Sequence, residues 1–261
     1  MPGTGQTSAR SFDLIVVGAG SGGYAAARTG RELGASVALV DRGPLGGLCI
    51  LRGCMPSKTL IATGDTAHEI ANAGELGLKV GPAAVDFAAV MARKKEIIQG
   101  FTDYRVAGID TFPVFTGDAH FESPTGLRVG GTTLHASKFV VATGSVVAPP
   151  AIRGLADAGF IDSDGALELQ EPPKSMIVLG GGYVSTELGQ FYSRIGTKVT
   201  VVIRGRHVLS GEDTDVAEAL TEYLRAEGLA IETEAQAHRV SVRPDGLKVV
   251  HFTRRGVEEE V

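Results

Sequence analysis

"FDLIVVGAGSGGYAAARTGRELGASVALVD", residues 12–41, is the stretch that decides the fold. A short apolar, β-branched run stops at a glycine cluster, "YAAARTGRELG" has the pattern of a helix ending at Gly34, and "SVALVD" is a second strand. Strand, glycine turn, helix and strand make a βαβ unit. Gly18, Gly20 and Gly23 stand at G-x-G-x-x-G spacing, and Asp41 closes the second strand. Glycines there allow a tight turn and let a pyrophosphate approach backbone amides at the helix N-terminus, while the acid can accept hydrogen bonds from a ribose. The pattern implies dinucleotide binding.

The same pattern recurs at residues 174–204, "KSMIVLGGGYVSTELGQFYSRIGTKVTVVIR". Gly180 and Gly182 occupy the fingerprint, and Ser185 takes the third glycine position, where a small residue still permits close packing of helix on strand. The second strand ends in Arg204, with Arg206 two residues on, where an NAD-binding unit usually carries an acid. Arginine at that point suits the 2′-phosphate of NADP. The Pro-rich step "VVAPPAIRG" at 146–154 marks a boundary. The expected architecture is α/β, with two Rossmann-like three-layer domains over 12–150 and 151–261. In the first, a long amphipathic helix over 86–109 precedes an antiparallel β excursion that returns to the main sheet through Phe139 to Ala142. In the second, helix, strand and a hairpin through "RPDG" follow the βαβ unit.

Between the two units lies "GGLCILRGCMPSKTL", residues 46–60, which holds both cysteines of the chain, Cys49 and Cys54. On a regular helix, residues five apart are displaced by about 7.5 Å along the axis, beyond disulfide reach. A bridge therefore needs a distorted turn, for which Gly46, Gly47 and Gly53 supply permissive backbone. A bridge in a bent turn is easier to reduce than a structural one. Pro56 suits a first helical turn, placing Cys54 near a helix N-terminus with Lys58 one turn on, and both features favour thiolate. The alternative is a pair of unpaired buried cysteines in a cytosolic protein.

Composition narrows the rest. The 36 glycines among 261 residues cluster at the ends of apolar runs, as in a loop-rich α/β protein. A net charge of -5 and a pI near 5.7 argue against a nucleic-acid surface, and "RKK" at 93–95 and "RR" at 254–255 read as solvated faces. No apolar run approaches the roughly 20 residues of a membrane span. Residues 1–11 have no apolar core and read as a disordered leader, so the cytoplasm is the expected compartment. Two cysteines cannot build an all-cysteine zinc site, and no metal is expected.

Two dinucleotide units, a C-x-x-x-x-C helix entry between them and the "ATGS" strand end together resemble the flavoprotein (pyridine nucleotide) disulfide oxidoreductase family, which includes dihydrolipoamide dehydrogenase, glutathione reductase and mercuric reductase. The resemblance covers nearly the whole chain and is most specific at "GGLCILRGCMPSK". It implies that the first unit binds FAD through Gly18, Gly20, Gly22, Gly23, Asp41, Arg42, Gly47, Lys58, Ala119, Thr143, Gly144 and Ser145. The nicotinamide cofactor, NADP or NAD, would then lie on Gly180, Gly182, Tyr183, Ser185, Glu187, Arg204 and Arg206. By the same likeness Cys49 is the interchange thiol and Cys54 the thiol next to the flavin. Lys58 is the lysine near the flavin's reactive nitrogen, Glu187 its ion-pair partner, and Tyr183 a lid over the flavin. A buried lysine would demand such a carboxylate. Electrons would pass from NAD(P)H through FAD to a redox-active Cys49–Cys54 disulfide and on to a disulfide or related acceptor.

The chain departs from the family in two respects. It carries "ILRG" between the cysteines where the family more commonly has "VNVG", so Arg52 adds a charge near the substrate side. The family also continues into a C-terminal dimerisation domain that this sequence does not show, and its full-length form is expected to be a homodimer. Alternatives are a mercuric-reductase-like metal-ion reductase and a truncated, non-catalytic nucleotide-binding fragment. Neither nucleic acid nor a membrane is an expected partner.

Overall fold

The computed structural model describes residues 10–261. Of the leader expected over residues 1–11, residues 1–9 lie outside the described residues. Arg10 and Ser11 correct that expectation: they belong to the first strand, because they pair with Leu134 and His135 of a longer neighbouring strand. The chain forms two compact units, residues up to Pro56 with Lys95–Val146, and Ser57–Lys94 with Val147–Val261.

In chain order the elements up to Val146 are β1 (Arg10–Val17), α1 (Ser21–Glu32), β2 (Val37–Asp41), α2 (Gly47–Leu51), α3 (Cys54–Asn72), α4 (Phe87–Ile109), β3 (Val114–Thr116), β4 (Ala119–Ser123), β5 (Gly126–Val129) and β6 (Thr132–Val141). Strands β3, β2, β1 and β6 are parallel neighbours in that order, and β6 continues antiparallel into β5 and β4. Alternate residues of the parallel strands serve two cores, as the two-residue period of a strand requires. Val16, Val37 and Leu39 pack with Ala27 of α1 and Ile109 of α4. Ile15, Ala38 and Val40 pack with Leu127, Val129 and Leu134 of the antiparallel excursion. The first unit is thus three layers: helices, parallel sheet, antiparallel ribbon. Each fully buried aliphatic side chain stabilises by about 1.5–3 kcal/mol, and a one-residue slip would exchange every one of these faces.

The second unit holds α5 (Leu155–Ala158), α6 (Ser163–Ala166), β7 (Ser175–Leu179), α7 (Tyr183–Arg194), β8 (Lys198–Val202), α8 (Thr214–Ala226), β9 (Ala230–Glu232), β10 (Gln236–Val242), β11 (Lys248–Arg254) and β12 (Val257–Glu260). Strands β7, β8 and β9 form a parallel sheet, and β10, β11 and β12 a separate antiparallel one. Val199 and Val201 face Leu188, Phe191 and Tyr192 of α7. On the other face Ile177, Leu179 and Val202 meet Ala235, just before β10, and Val240, Val250 and Phe252 of the antiparallel sheet. Segment 57–94 shares this unit's core: Leu60 and Phe87 are buried with Leu188 and Phe191, and Gly64 of α3 lies against Phe191. No helix among the described residues is long and apolar enough to cross a membrane.

Tyr192 offers a pH test of this core. It is fully buried and its hydroxyl donates to the Ala166 carbonyl, and burial pushes its pKa up to about 12. An unfolded tyrosine ionises near 10. Its contribution is therefore complete below about pH 10 and lost as pH rises through about 12, a fall of up to about 2–3 kcal/mol. Urea unfolding of Tyr192→Phe should lose that alkaline slope, at a cost of about 1 kcal/mol at neutral pH for the stranded carbonyl.

Candidate active site

The first glycine turn is closed by backbone contact. The Gly18 N–H donates to the Val40 carbonyl at 2.7 Å, and Gly18 adopts φ +100°, a region favourable only to glycine. A Cβ on Gly23 would lie 1.7 Å from the Gly18 oxygen. No side chain caps α1, so the amides of its first turn, which includes Gly22, have no capping acceptor. Asp41 accepts from the Ala19 N–H at 2.7 Å and the Gly43 N–H at 2.6 Å. Its carboxylate thus holds the turn itself, and its remaining lone pairs are what a ribose could use. Arg42 follows it at the surface. The Asp41 carbonyl takes the Gly117 N–H at 3.0 Å, which brings the start of β4, Ala119, to the end of β2. Thr143 Cα lies 3.1 Å from the Cβ that Gly18 lacks, so the exposed "TGS" of Thr143, Gly144 and Ser145 runs off β6 beside the turn.

The cysteines meet because the helix is broken between them. Cys49 lies on α2, which ends at Leu51; Arg52 leaves helical geometry at φ −144°, and α3 begins at Cys54. Gly53 sits in the break, where a Cβ would lie 3.0 Å from the Leu48 oxygen. Gly47 allows α2 to reach α1: its Cβ would be 2.4 Å from Gly20 Cα. Both cysteines are present as thiols, with their side chains hydrogen-bonded to each other. Burial, then the contact with Cys54, pushes the Cys49 thiol up, while the Ser21 hydroxyl pulls it back down. Ser21 escapes sequence reasoning, since nothing in "GAGSGG" marks its hydroxyl for a cysteine 28 positions away.

In the second unit Lys58 pairs with Glu187 of α7, and the Ser57 hydroxyl donates to the same carboxylate at 3.3 Å. The Lys58 side chain is 57% exposed and that of Glu187 33%. Such an exposed pair is worth at most about 1 kcal/mol, so it orients more than it stabilises. Gly180, Gly182 and Tyr183 line a groove of about 910 Å³ together with Arg204 and Glu212. Ser185 fits its fingerprint position, with its hydroxyl 3.8 Å from where a Gly180 Cβ would stand. As at α1, no side chain caps α7. Arg204 is exposed and makes no ion pair among the described residues. Arg206 is drawn toward Glu234 at 3.9 Å, a carboxylate that also takes Arg255.

The sequence matches the profile of the family described as "Pyridine nucleotide-disulphide oxidoreductase" over residues 12–260. The chain belongs to the pyridine nucleotide-disulphide oxidoreductase family. It is 32% identical to a mercuric reductase of Bacillus cereus over 94% of this chain and 39% of that protein. It is 35% identical to a dihydrolipoyl dehydrogenase of Thermus scotoductus over 96% of this chain and 55% of that protein. Among solved structures it resembles the HOCl-induced flavoprotein disulfide reductase RclA from Escherichia coli, with a TM-score of 0.77 and 28% identity over 95% of this chain and 54% of that one. The chain thus spans about half the length of the relatives it matches. Pyridine nucleotide-disulphide oxidoreductases use FAD and NAD(P)H, and the two uncapped helix N-termini at glycine turns, each followed across a βαβ unit by a polar strand end, fit two dinucleotides.

Proposed function

We propose that this chain carries the electron path of an FAD- and NADP-dependent disulfide reductase, with FAD on residues 12–150 and the nicotinamide cofactor on 151–261. The observation that carries the proposal is the meeting of the Cys49 and Cys54 side chains across the break between α2 and α3. FAD and NADPH, when bound, supply the two electrons that open a Cys49–Cys54 bridge. The Cys49 thiolate then attacks an acceptor disulfide, forming a mixed disulfide and releasing one acceptor thiolate. Cys54 attacks the Cys49 sulfur, restoring the bridge and releasing the second acceptor thiolate, and the two released thiolates take up two protons. Lys58, oriented by Glu187, keeps a positive charge available to an electron-rich cofactor. The amides at Gly18–Gly23 and Gly180–Ser185 receive the two pyrophosphates, with Asp41 available to a ribose and Tyr183 as a lid. In glutathione buffers the pair should pass from two thiols to an intramolecular disulfide with a midpoint above about −300 mV, the range of labile rather than structural bridges. A pair that stays reduced in excess oxidised glutathione would sink the proposal.

Arg204 is assigned to the 2′-phosphate of NADP. Arg204→Glu should weaken 2′,5′-ADP binding by about tenfold or more, since one charge-assisted contact is lost and a like charge added. Arg206→Glu should cost less, because Glu234 already engages Arg206. An Arg204→Glu protein that keeps its preference for NADPH over NADH would refute the assignment. Relatives named mercuric reductase favour a second reading, in which the reduced pair delivers its two electrons to a metal ion. Comparing turnover with mercuric ion and with a small disulfide separates the two. The full protein is read as a cytoplasmic homodimer.

A further inference from the structure

The groove of the second unit pairs Tyr183, which the nucleotide assignment uses as a lid, with a carboxylate that the assignment leaves unexplained, Glu212. Tyr183 opens α7 at the glycine turn, 61% exposed, and its phenol donates to the Glu212 carboxylate. Both line the same groove as Gly180–Gly182 and Arg204. Glu212 arrives there because the loop after β8 is laid over the turn. Leu209 N–H donates to the Gly181 carbonyl at 2.7 Å, Glu212 N–H to the Leu209 carbonyl at 2.9 Å, and Val208 N–H to the Thr221 hydroxyl at 3.1 Å. Val208 is fully buried, and a Cβ on Gly181 would stand 3.4 Å from its Cα and 2.7 Å from the Ile203 side chain. Leu209 holds φ +49°, a conformation that a branched residue adopts only where its surroundings impose it. These contacts tie the loop to the glycine turn at Val208 and Leu209, and Glu212 is presented to Tyr183 from that anchor.

We propose that Glu212 is a latch for Tyr183. In the free protein it holds the phenol inside the groove, and the pair parts before a dinucleotide seats. The proposal deepens the nucleotide assignment and rests on it. A pyrophosphate arriving at the amides of α7 meets the Glu212 carboxylate as a like charge in the same groove, so anion binding and the latched pair oppose each other. Glu212 also pushes the Tyr183 phenol pKa up, which keeps the proton on the donor. When the binding-competent state is a minor one, the apparent Kd is raised by the inverse of its population.

The test is anaerobic titration of the full chain with NADPH, followed by nicotinamide fluorescence, with association rates from stopped flow. Tyr183→Phe keeps the ring and loses the donor; Glu212→Ala loses the acceptor. Each should tighten the Kd by about three- to tenfold, mainly through faster association. The double variant should match Glu212→Ala, because either change alone opens the latch and only the loss of Glu212 also removes the like charge. Glu212→Gln, which keeps an acceptor oxygen without the charge, should fall between wild type and Glu212→Ala. Unchanged or weaker NADPH binding by Tyr183→Phe or by Glu212→Ala, or a double variant that exceeds Glu212→Ala, would overturn the latch while leaving the nucleotide assignment standing. A wild-type chain that binds neither NADPH nor 2′,5′-ADP would overturn the assignment and the latch with it.

Discussion

Gly23→Ala is expected to destabilise the first unit by about 3–5 kcal/mol and to abolish FAD retention. The added Cβ would lie 1.7 Å from the Gly18 oxygen and 2.8 Å from its carbonyl carbon. Neither neighbour is a flexible side-chain end, and Gly18 cannot retreat, since its own missing Cβ position is 2.2 Å from the Ala142 oxygen. Relief requires α1 to lift off β1, which opens the core around Val16, Ala27 and Leu39. Gly22→Ala is the matched control. A Cβ there meets nothing within 4 Å, and alanine in a helix gains up to about 1 kcal/mol over glycine. Urea unfolding and FAD titration of both variants check the argument, which fails if Gly23→Ala matches wild type in both.

Cys49→Ser and Cys54→Ser should each lower reduction of a disulfide acceptor by about 10³-fold or more, because thiol exchange has no route through a hydroxyl. The two variants differ in what remains. Cys49 is raised first by burial and then by its contact with Cys54, so less of it is thiolate at a given pH in the dithiol than with Cys54 removed. Removing the second sulfur in Cys54→Ser leaves burial as the remaining cause that raises it, and alkylation of Cys49 should move to lower pH. Ser21→Ala, which removes the hydroxyl that favours the thiolate, should move it the other way. Mass-spectrometric alkylation profiles read both directions. A Cys49 profile indifferent to Cys54→Ser would show that the sulfurs do not interact as described.

The sequence was most legible where geometry leaves one kind of residue possible. Gly18 and Gly23 could be read because no side chain fits a turn so tight, and the break at Arg52–Gly53 because five residues of regular helix cannot bring Cys49 to Cys54. The apolar, β-branched runs in "FDLIVV" and "SVALVD" likewise foretold strands, although not that the antiparallel excursion supplies the third layer on Ile15, Ala38 and Val40. Contacts between surface polar groups carried no such signal. Ser21 at Cys49, Glu212 at Tyr183 and the exposure of Lys58 depend on how loops and helix ends settle, and many residue types satisfy those positions. The packing of 57–94 with the second unit was equally hidden, because α3 and α4 are amphipathic and an apolar stripe does not name the surface it meets.

The central claim is that NADPH and FAD together reduce the Cys49–Cys54 pair. Its most direct measurement is a thiol count on the oxidised chain, by alkylation and mass spectrometry, after anaerobic exposure to FAD, to NADPH, to both and to neither. Alkylation of Cys49 and Cys54 together, only where both cofactors are present, is the predicted result. A bridge left intact while bound flavin is reduced, or thiols that appear with NADPH alone, would contradict it.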